Sequence, residues 1–317
     1  MQGVSHSLDL PWPQFYTYLI QMKVLQIHGL VKRYGPITAV NNLNLEIESG
    51  NVYGILGPNG SGKTTTLGTV LGIIQPDNGN FSWFEGRYGS EARMHIGALL
   101  ETPNFYPFLS PVKNLQITAH IKKIDAPNID SILEMVNLAH RRDSAFSTFS
   151  FGMKQRLAIA AALIGDPEVL IFDEPTNGLD PQGIAEVREI IQRIAAEGKT
   201  IIMASHILDE VEKVCSHVAI IKKGNLLASG EVGAILSNDR QVDIAAENMS
   251  KLREVLTNFP GVNTILDKGK ILQLQVDPSL SAAQLNKLAF DNGLIISHLV
   301  MKPKSLETEF LEITAGK

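Results

Sequence analysis

Cysteine occurs once in 317 residues, as Cys215, so no internal disulfide can form and a reducing compartment is the natural setting. Packing as a small apolar side chain is the role expected of it. Long apolar runs are also lacking. Hydrophobic residues make up 44% and charged residues 19% of the chain, yet no uninterrupted apolar stretch approaches the roughly 18 to 20 residues of a membrane helix. If a membrane is involved, another chain supplies the span. Positive charge is not in excess either: the formal net charge is −5, which argues against a nucleic-acid-binding surface, because such a surface must displace counterions with a basic patch. Nucleic acid is therefore not an expected partner. The first 21 residues hold no Lys or Arg and include Pro11 and Pro13, so they lack the cationic start of a secretory signal. Met22-Lys23-Val24 reads as the start of the folded part, and residues 1–22 as a disordered extension. Paired ligand spacing is missing among the histidines, His120, His140 and His217 included, so no metal is expected beyond one that accompanies a nucleotide.

What is present is a chain long enough for two domains. Gly57-Pro58-Asn59-Gly60-Ser61-Gly62-Lys63-Thr64 is a complete phosphate-binding loop. It follows the apolar run Val52 to Leu56 and precedes a helix-compatible segment, the context that the motif needs. Its glycines let the backbone curl so that N–H groups face phosphate oxygens, and the helix beginning near Lys63 adds its positive end. Lys63 is placed to reach the β- and γ-phosphates, Thr64 to offer its hydroxyl to Mg2+, and Thr65 completes the nucleotide-contacting run. Binding of a nucleoside triphosphate follows.

Around this loop the patterning changes twice. Residues 23 to 47 alternate, with turn residues Tyr34-Gly35-Pro36 and Asn41-Asn42, and predict antiparallel strands. Val169 to Phe172, Thr200 to Ala204 and Val218 to Ile221 are continuous apolar runs separated by helical stretches, which predict a parallel sheet covered on both faces. Val112 to Ile124 and Ile129 to Leu138, bounded by Pro111 and Pro127, predict a helical subdomain over about 101–165. From about Gln241 the order becomes strand, helix, strand, strand, helix, strand, as in the ferredoxin-like unit. The expected class is α/β, with an antiparallel β subdomain, a helical subdomain and a small C-terminal α+β domain. The expected bounds are 23–236 and 237–317.

The run Val169 to Phe172 ends in Asp173-Glu174, two acids at the carboxyl edge of a sheet beside the phosphate loop. Neighbouring side chains on a strand end take different roles: Asp173 to hold magnesium, Glu174 to serve as general base toward a water. A strand-ending acid can also only cap the next helix. Phe149-Ser150-Phe151-Gly152-Met153-Lys154-Gln155-Arg156, followed by Asp173-Glu174-Pro175-Thr176-Asn177-Gly178-Leu179-Asp180-Pro181, resembles the signature motif, Walker B segment and D-loop of ATP-binding cassette proteins. The resemblance implies an ATPase whose two copies sandwich two ATP molecules head to tail, the phosphate loop of one facing Ser150, Gly152 and Asp180 of the other. Ser205-His206 resembles the switch histidine, implying that His206 bonds the γ-phosphate and holds Glu174; a plain helix-capping pair is the alternative. Tyr34 resembles the aromatic residue on which adenine stacks, with a surface turn residue as its alternative.

Two departures stand out. Phe149, Phe151 and Met153 replace the usual Leu, Gly and Gln of the signature, and Glu101 stands where a glutamine is usual, offering magnesium a carboxylate. The segment Leu99 to Pro107 resembles the bacitracin- and lantibiotic-resistance branch of exporters. The tail Lys304 to Thr314 resembles that of ATPase subunits in drug-resistance and gliding-motility exporters, daunorubicin exporters among them. The implied role is a subunit on the cytoplasmic face of the cell membrane, powering a separate permease that exports an antibiotic, peptide or lipid. Soluble cassette ATPases of ribosomes or DNA need two cassettes or a long coiled-coil insertion, and neither is here. Glu174 speaks against a non-hydrolysing regulator. Asn286-Lys287-Leu288-Ala289 lacks the acid that reads guanine, which disfavours a GTPase.

Overall fold

The computed structural model describes residues 22–100, 104–235, 240–303 and 306–315. The expectations for residues 1–21 and for Glu101 lie outside the described residues. Alternating residues between Lys23 and Glu48 form two long strands, β1 (Lys23–Tyr34) and β2 (Ile37–Glu48), paired antiparallel. They turn over at Gly35 and Pro36. Asn41-Asn42 does not turn the chain: Asn42 takes a φ of +50° inside β2, and the register with β1 slips between Ile27 and Lys32. A β-bulge uses the same residue types as a turn, which is why the two read alike.

A six-stranded sheet forms the centre, in the order β5-β6-β7-β3-β8-β9. Its members are β3 (Val52–Leu56), β5 (Ile96–Leu99), β6 (Val169–Asp173), β7 (Thr200–Ser205), β8 (His217–Lys222) and β9 (Asn225–Glu231). All neighbours pair parallel except β9, which folds back antiparallel on β8. The continuous apolar runs are explained by burial on both faces. Leu170 and Phe172 of β6, with Ile201 and Met203 of β7, enter one core together with the helices α4 (Phe151–Leu163), α5 (Pro181–Ala196) and α6 (Leu208–Val214). Val169, Ile171, Ile202 and Ala204 enter a second core, shared with β1, β2 and the helix α1 (Lys63–Val70). The strand β4 (Asn78–Trp83) joins β1 on its free side and completes that antiparallel layer.

The predicted helical region holds α2 (Pro111–Ile121) and α3 (Ile129–Met135). Each starts on a side-chain cap, Ser110 for α2 and Asn128 for α3, whose oxygens accept the N–H of Lys113 and Ser131. A short helix, α7 (Val232–Ile235), follows β9. The chain then builds β10 (Arg240–Ala246), α8 (Met249–Thr257), β11 (Val262–Asp267), β12 (Leu272–Val276), α9 (Ala282–Asp291) and β13 (Ile296–Pro303). These strands form a separate antiparallel sheet in the order β11-β12-β10-β13, the ferredoxin-like arrangement, around Val242, Ile244, Leu252, Leu274 and Leu285. The last helix, α10 (Leu306–Ala315), leaves this sheet. Its Leu306 is fully buried in the first core, with Phe310 and Ile313 packed on the same cluster.

Candidate active site

The strand β3 stops at Leu56, and the backbone turns through the loop before α1 begins at Lys63. Two glycines are required for close approach. A Cβ on Gly57 would lie 2.3 Å from the Ile221 carbonyl oxygen, and one on Gly62 only 2.2 Å from the Ala39 carbonyl oxygen. Gly62 has a φ of +108° and gives α1 no side-chain cap, so the first N–H groups of that helix are left for an anion to satisfy. Gly224, in the β8–β9 turn, ties the loop down: its N–H donates to the Ser61 carbonyl at 2.9 Å, while its own carbonyl accepts from the N–H of Asn41 at 2.8 Å. Ser61 is 2% exposed, and its hydroxyl has no partner among the described residues. Thr64 is exposed and Thr65 half-buried on the first turn of α1.

Lys63 is buried, its ammonium donating to the Gly57 carbonyl at 2.8 Å and lying 3.3 Å from Glu174 Oε1. Glu174 follows β6 with a φ of +50°, and its N–H bonds the Ala204 carbonyl of β7 at 3.0 Å. The turn sends Glu174 away from Asp173, which stays buried at the end of β6. Nδ1–H of His206 donates to Glu174 Oε2 at 2.7 Å. The structure therefore brings the loop, Asp173, Glu174 and His206 to one sheet edge. The chemistry available there is an anion cradle with an ammonium, beside a carboxylate oriented by an imidazole. Residues fit a triphosphate, since the cradle is one that a Cβ would fill and the buried Ser61 hydroxyl wants an acceptor. They also fit magnesium, because the Thr64 hydroxyl and the Asp173 carboxylate are hard oxygen donors and an ion that rides with phosphates needs only one or two of them. No group of three or more His, Cys, Asp or Glu among the described residues could hold a metal on its own.

Ser150, Gly152 and Asp180 lie elsewhere. Ser150 caps α4, its hydroxyl accepting the N–H of Met153 at 3.3 Å. Asp180 caps α5, accepting the N–H of Gly183 at 2.9 Å. Both residues line a cavity of about 490 Å³ with Phe151, Gly152 and Gly178. Phe151 is 46% exposed, and its ring edge lies 3.4 Å from where a Gly178 Cβ would stand. No phosphate-loop residue lines that cavity. The loop has its own, of about 270 Å³, lined by Gly57, Pro58, Asn59, His206, Leu208 and Phe310. A larger cavity of about 620 Å³, lined by residues 69–76 and 81–83 among others, contains none of these groups, and chemistry rather than size decides which matters. Tyr34, half exposed at the end of β1, has the Lys32 ammonium 5.5 Å above its ring.

Two residues near the site carried no role in the sequence. Arg156 is buried, donates to the carbonyls of Val136 and Asn137, and pairs with Glu186 of α5 at 3.3 Å. It sits in the quoted motif, but its partners are unpredictable from spacing. Phe310 lines the loop cavity from the far end of the chain. The signal for it was the apolar spacing Leu306, Phe310, Ile313, which marks a helix with one buried face without saying against what.

Residues 40–177 match the model of a family described as ABC transporter. Bacitracin transport ATP-binding protein BcrA of Bacillus licheniformis is 36% identical over 300 residues, 92% of this chain and 98% of that one. Lantibiotic transport ATP-binding protein SrtF of Streptococcus pyogenes is 41% identical over 209 residues, 66% of this chain and 91% of its own length. Among solved structures, cbiO1 from Clostridium perfringens, part of the ABC transporter complex cbiONQ, superposes with a TM-score of 0.61 at 28% identity, covering 76% of this chain and 97% of that chain.

Proposed function

The chain belongs to the ABC transporter family as its ATP-binding, ATP-hydrolysing subunit, and from that premise we propose that two copies close head to tail around two ATP molecules to drive a separate membrane permease in export. One observation carries this reading: Lys63, Glu174 and His206 meet at the phosphate loop, whereas Ser150, Gly152 and Asp180 open on a different cavity. Each copy thus holds two unlike half-sites, which complete each other when a second copy is inverted against the first.

In this reading residues 57–65 bind the phosphates, and Tyr34 stacks on adenine. Thr64 and Asp173, with Glu101 as a further oxygen donor, would hold Mg2+, which would supply neutralisation of phosphate charge. Glu174 takes the proton of the attacking water, and His206 keeps the carboxylate aimed. Ser150, Gly152 and Asp180 of one copy complete the other copy's site. The chain divides into a cassette over 23–236, with its helical subdomain at about 101–165, and an accessory domain over 237–317; Met22, just before the cassette, already packs on the second core and accepts the N–H of Ser49 at 2.9 Å. No helix among the described residues is long and apolar enough to cross a membrane; in this reading a separate permease supplies the span, and the subunit is peripheral on the cytoplasmic face of the cell membrane. The cargo in this reading is an antibiotic, peptide or lipid, and the names of the bacitracin and lantibiotic transport relatives support the antibiotic.

The test is Glu174→Gln. Its amide holds the water without accepting the proton, so turnover should fall by about 10² to 10⁴. Light scattering with ATP and magnesium should then find dimers carrying two nucleotides. Monomers at saturating ATP would sink the sandwich.

A further inference from the structure

We propose that Phe310 is a positioning residue for His206, through which the helix at the end of the chain sets the hydrolysis rate. The inference rests on the reading of Glu174 and His206 as the hydrolytic pair. His206 stands between β7 and α6, a helix of seven residues whose N-cap, Ile207, contributes no side-chain cap. Such a short helix has little stability of its own, so packing determines where its first turn sits. One anchor is internal: Val211 is fully buried in the first core. The other is α10. Its first N–H, that of Leu306, donates to Glu212 Oε2 of α6 at 2.9 Å, and at its far end the Thr314 carbonyl accepts from Lys222 of β8. Held at both ends, α10 presents Phe310 one turn beyond Leu306, where the ring shares the wall of the loop cavity with Leu208, His206, Gly57, Pro58 and Asn59.

Only Ile207 separates Leu208 from His206. Withdrawing the Phe310 ring leaves Leu208 without its neighbour on the cavity side, and the first turn of α6 shifts to refill the space. That movement carries the imidazole off the line to Glu174 Oε2, a 2.7 Å contact that tolerates little displacement. The phosphate loop is held independently, by Gly224 on its other side, so nucleotide binding stays intact. A rate defect without a binding defect is therefore the signature of this arrangement. It also gives the ferredoxin-like unit, which precedes α10 directly in the chain, a mechanical route to the catalytic histidine.

The experiment uses the full chain. Phe310→Ala should lower kcat about tenfold, with KM for ATP and the affinity for a fluorescent ATP analogue within twofold of the natural protein. Phe310→Leu should recover most of the rate. With ¹⁵N-labelled histidine, His206 should report one hydrogen-bonded tautomer in the natural protein and an average of two in Phe310→Ala. An unchanged kcat, a KM that moves as much as kcat, or an unchanged His206 signal overturns the proposal. If Phe310→Ala does not fold, Glu212→Gln loosens α10 without opening a cavity and should lower kcat about threefold with KM unchanged; no change in kcat overturns the proposal equally. Glu174→Gln is the control. Should it retain turnover, the hydrolytic pair is wrongly assigned; should it abolish turnover while the Phe310 and Glu212 variants match the natural protein, this inference alone fails.

Discussion

The two helix starts that the reading assigns to nucleotide are built in opposite ways. At α1, the cap is Gly62 in a left-handed conformation, with no side chain to satisfy the first N–H groups. At α4, the cap is Ser150, whose hydroxyl already accepts the N–H of Met153. One terminus is open by construction; the other is closed on itself. The magnitudes make the difference useful. A neutral hydrogen bond of the Ser150 kind contributes about 0.5 to 1.5 kcal/mol, and at 3.3 Å this one is long, whereas a bond to a charged phosphate oxygen contributes about 1.5 to 3 kcal/mol. In the proposed reading the open start binds a triphosphate alone, and the closed start yields its cap only when a phosphate is delivered to it, as a second copy would do.

Predictions that separate the two starts run from large to small. Lys63→Ala removes the ammonium that lies 3.3 Å from Glu174 and would face the phosphates, leaving buried negative charge unpaired, so ATP affinity should drop at least about a hundredfold. Titration with a fluorescent nucleotide measures it, and a drop of less than threefold would mean that the backbone alone makes the open start. Ser150→Arg should leave that titration within twofold while abolishing the ATP-dependent dimer in a Glu174→Gln background. Dimers on size-exclusion chromatography would show that the closed start takes no part in association. The smallest effect concerns what stands behind the open start. Cys215 packs against β3, where a Cβ on Gly54 would come within 3.1 Å of its sulfur, and burial pushes its thiol up to about 12 from 9.0. The native thiol thus stays protonated while the unfolded one ionises. Its contribution is fully present below pH 9 and is lost as pH rises toward 12. Urea unfolding at pH 8 and pH 10.5 should show the stability advantage of the natural protein over Cys215→Ala shrinking with pH. A constant difference would contradict the burial of the thiol.

Much of the open start was legible because its spacing encodes backbone geometry: each glycine stands where a Cβ would strike a carbonyl or where φ is positive. The parallel sheet was legible for a similar reason, since a strand such as β6 runs apolar from Val169 to Phe172 and has no alternating polar face to give to water. The closed start was legible as a motif but not as a closed cap, because Ser150 at the head of a helix reads the same whether its hydroxyl points inward to Met153 or outward to a ligand. Asn41-Asn42 misled because turn and bulge draw on one set of residues. The return of α10 to α6 was hidden because contact between Leu306 and Glu212 is a matter of tertiary placement, which no local period records.

The turn at Gly224 looks like a peripheral hairpin, the sort of place where an insertion or a tag is usually tolerated. It is a poor choice here. A Cβ on Gly224 would fall 2.9 Å from the Ala39 carbonyl oxygen, and the residue's own N–H and carbonyl join Ser61 to Asn41. Lengthening this turn by one residue would cut the phosphate loop loose from β2 without touching either. An engineer placing a fluorophore or an affinity handle is better served by the exposed Lys268 or Lys270, in the turn between β11 and β12, with Gly269 between them kept because its φ is +83°.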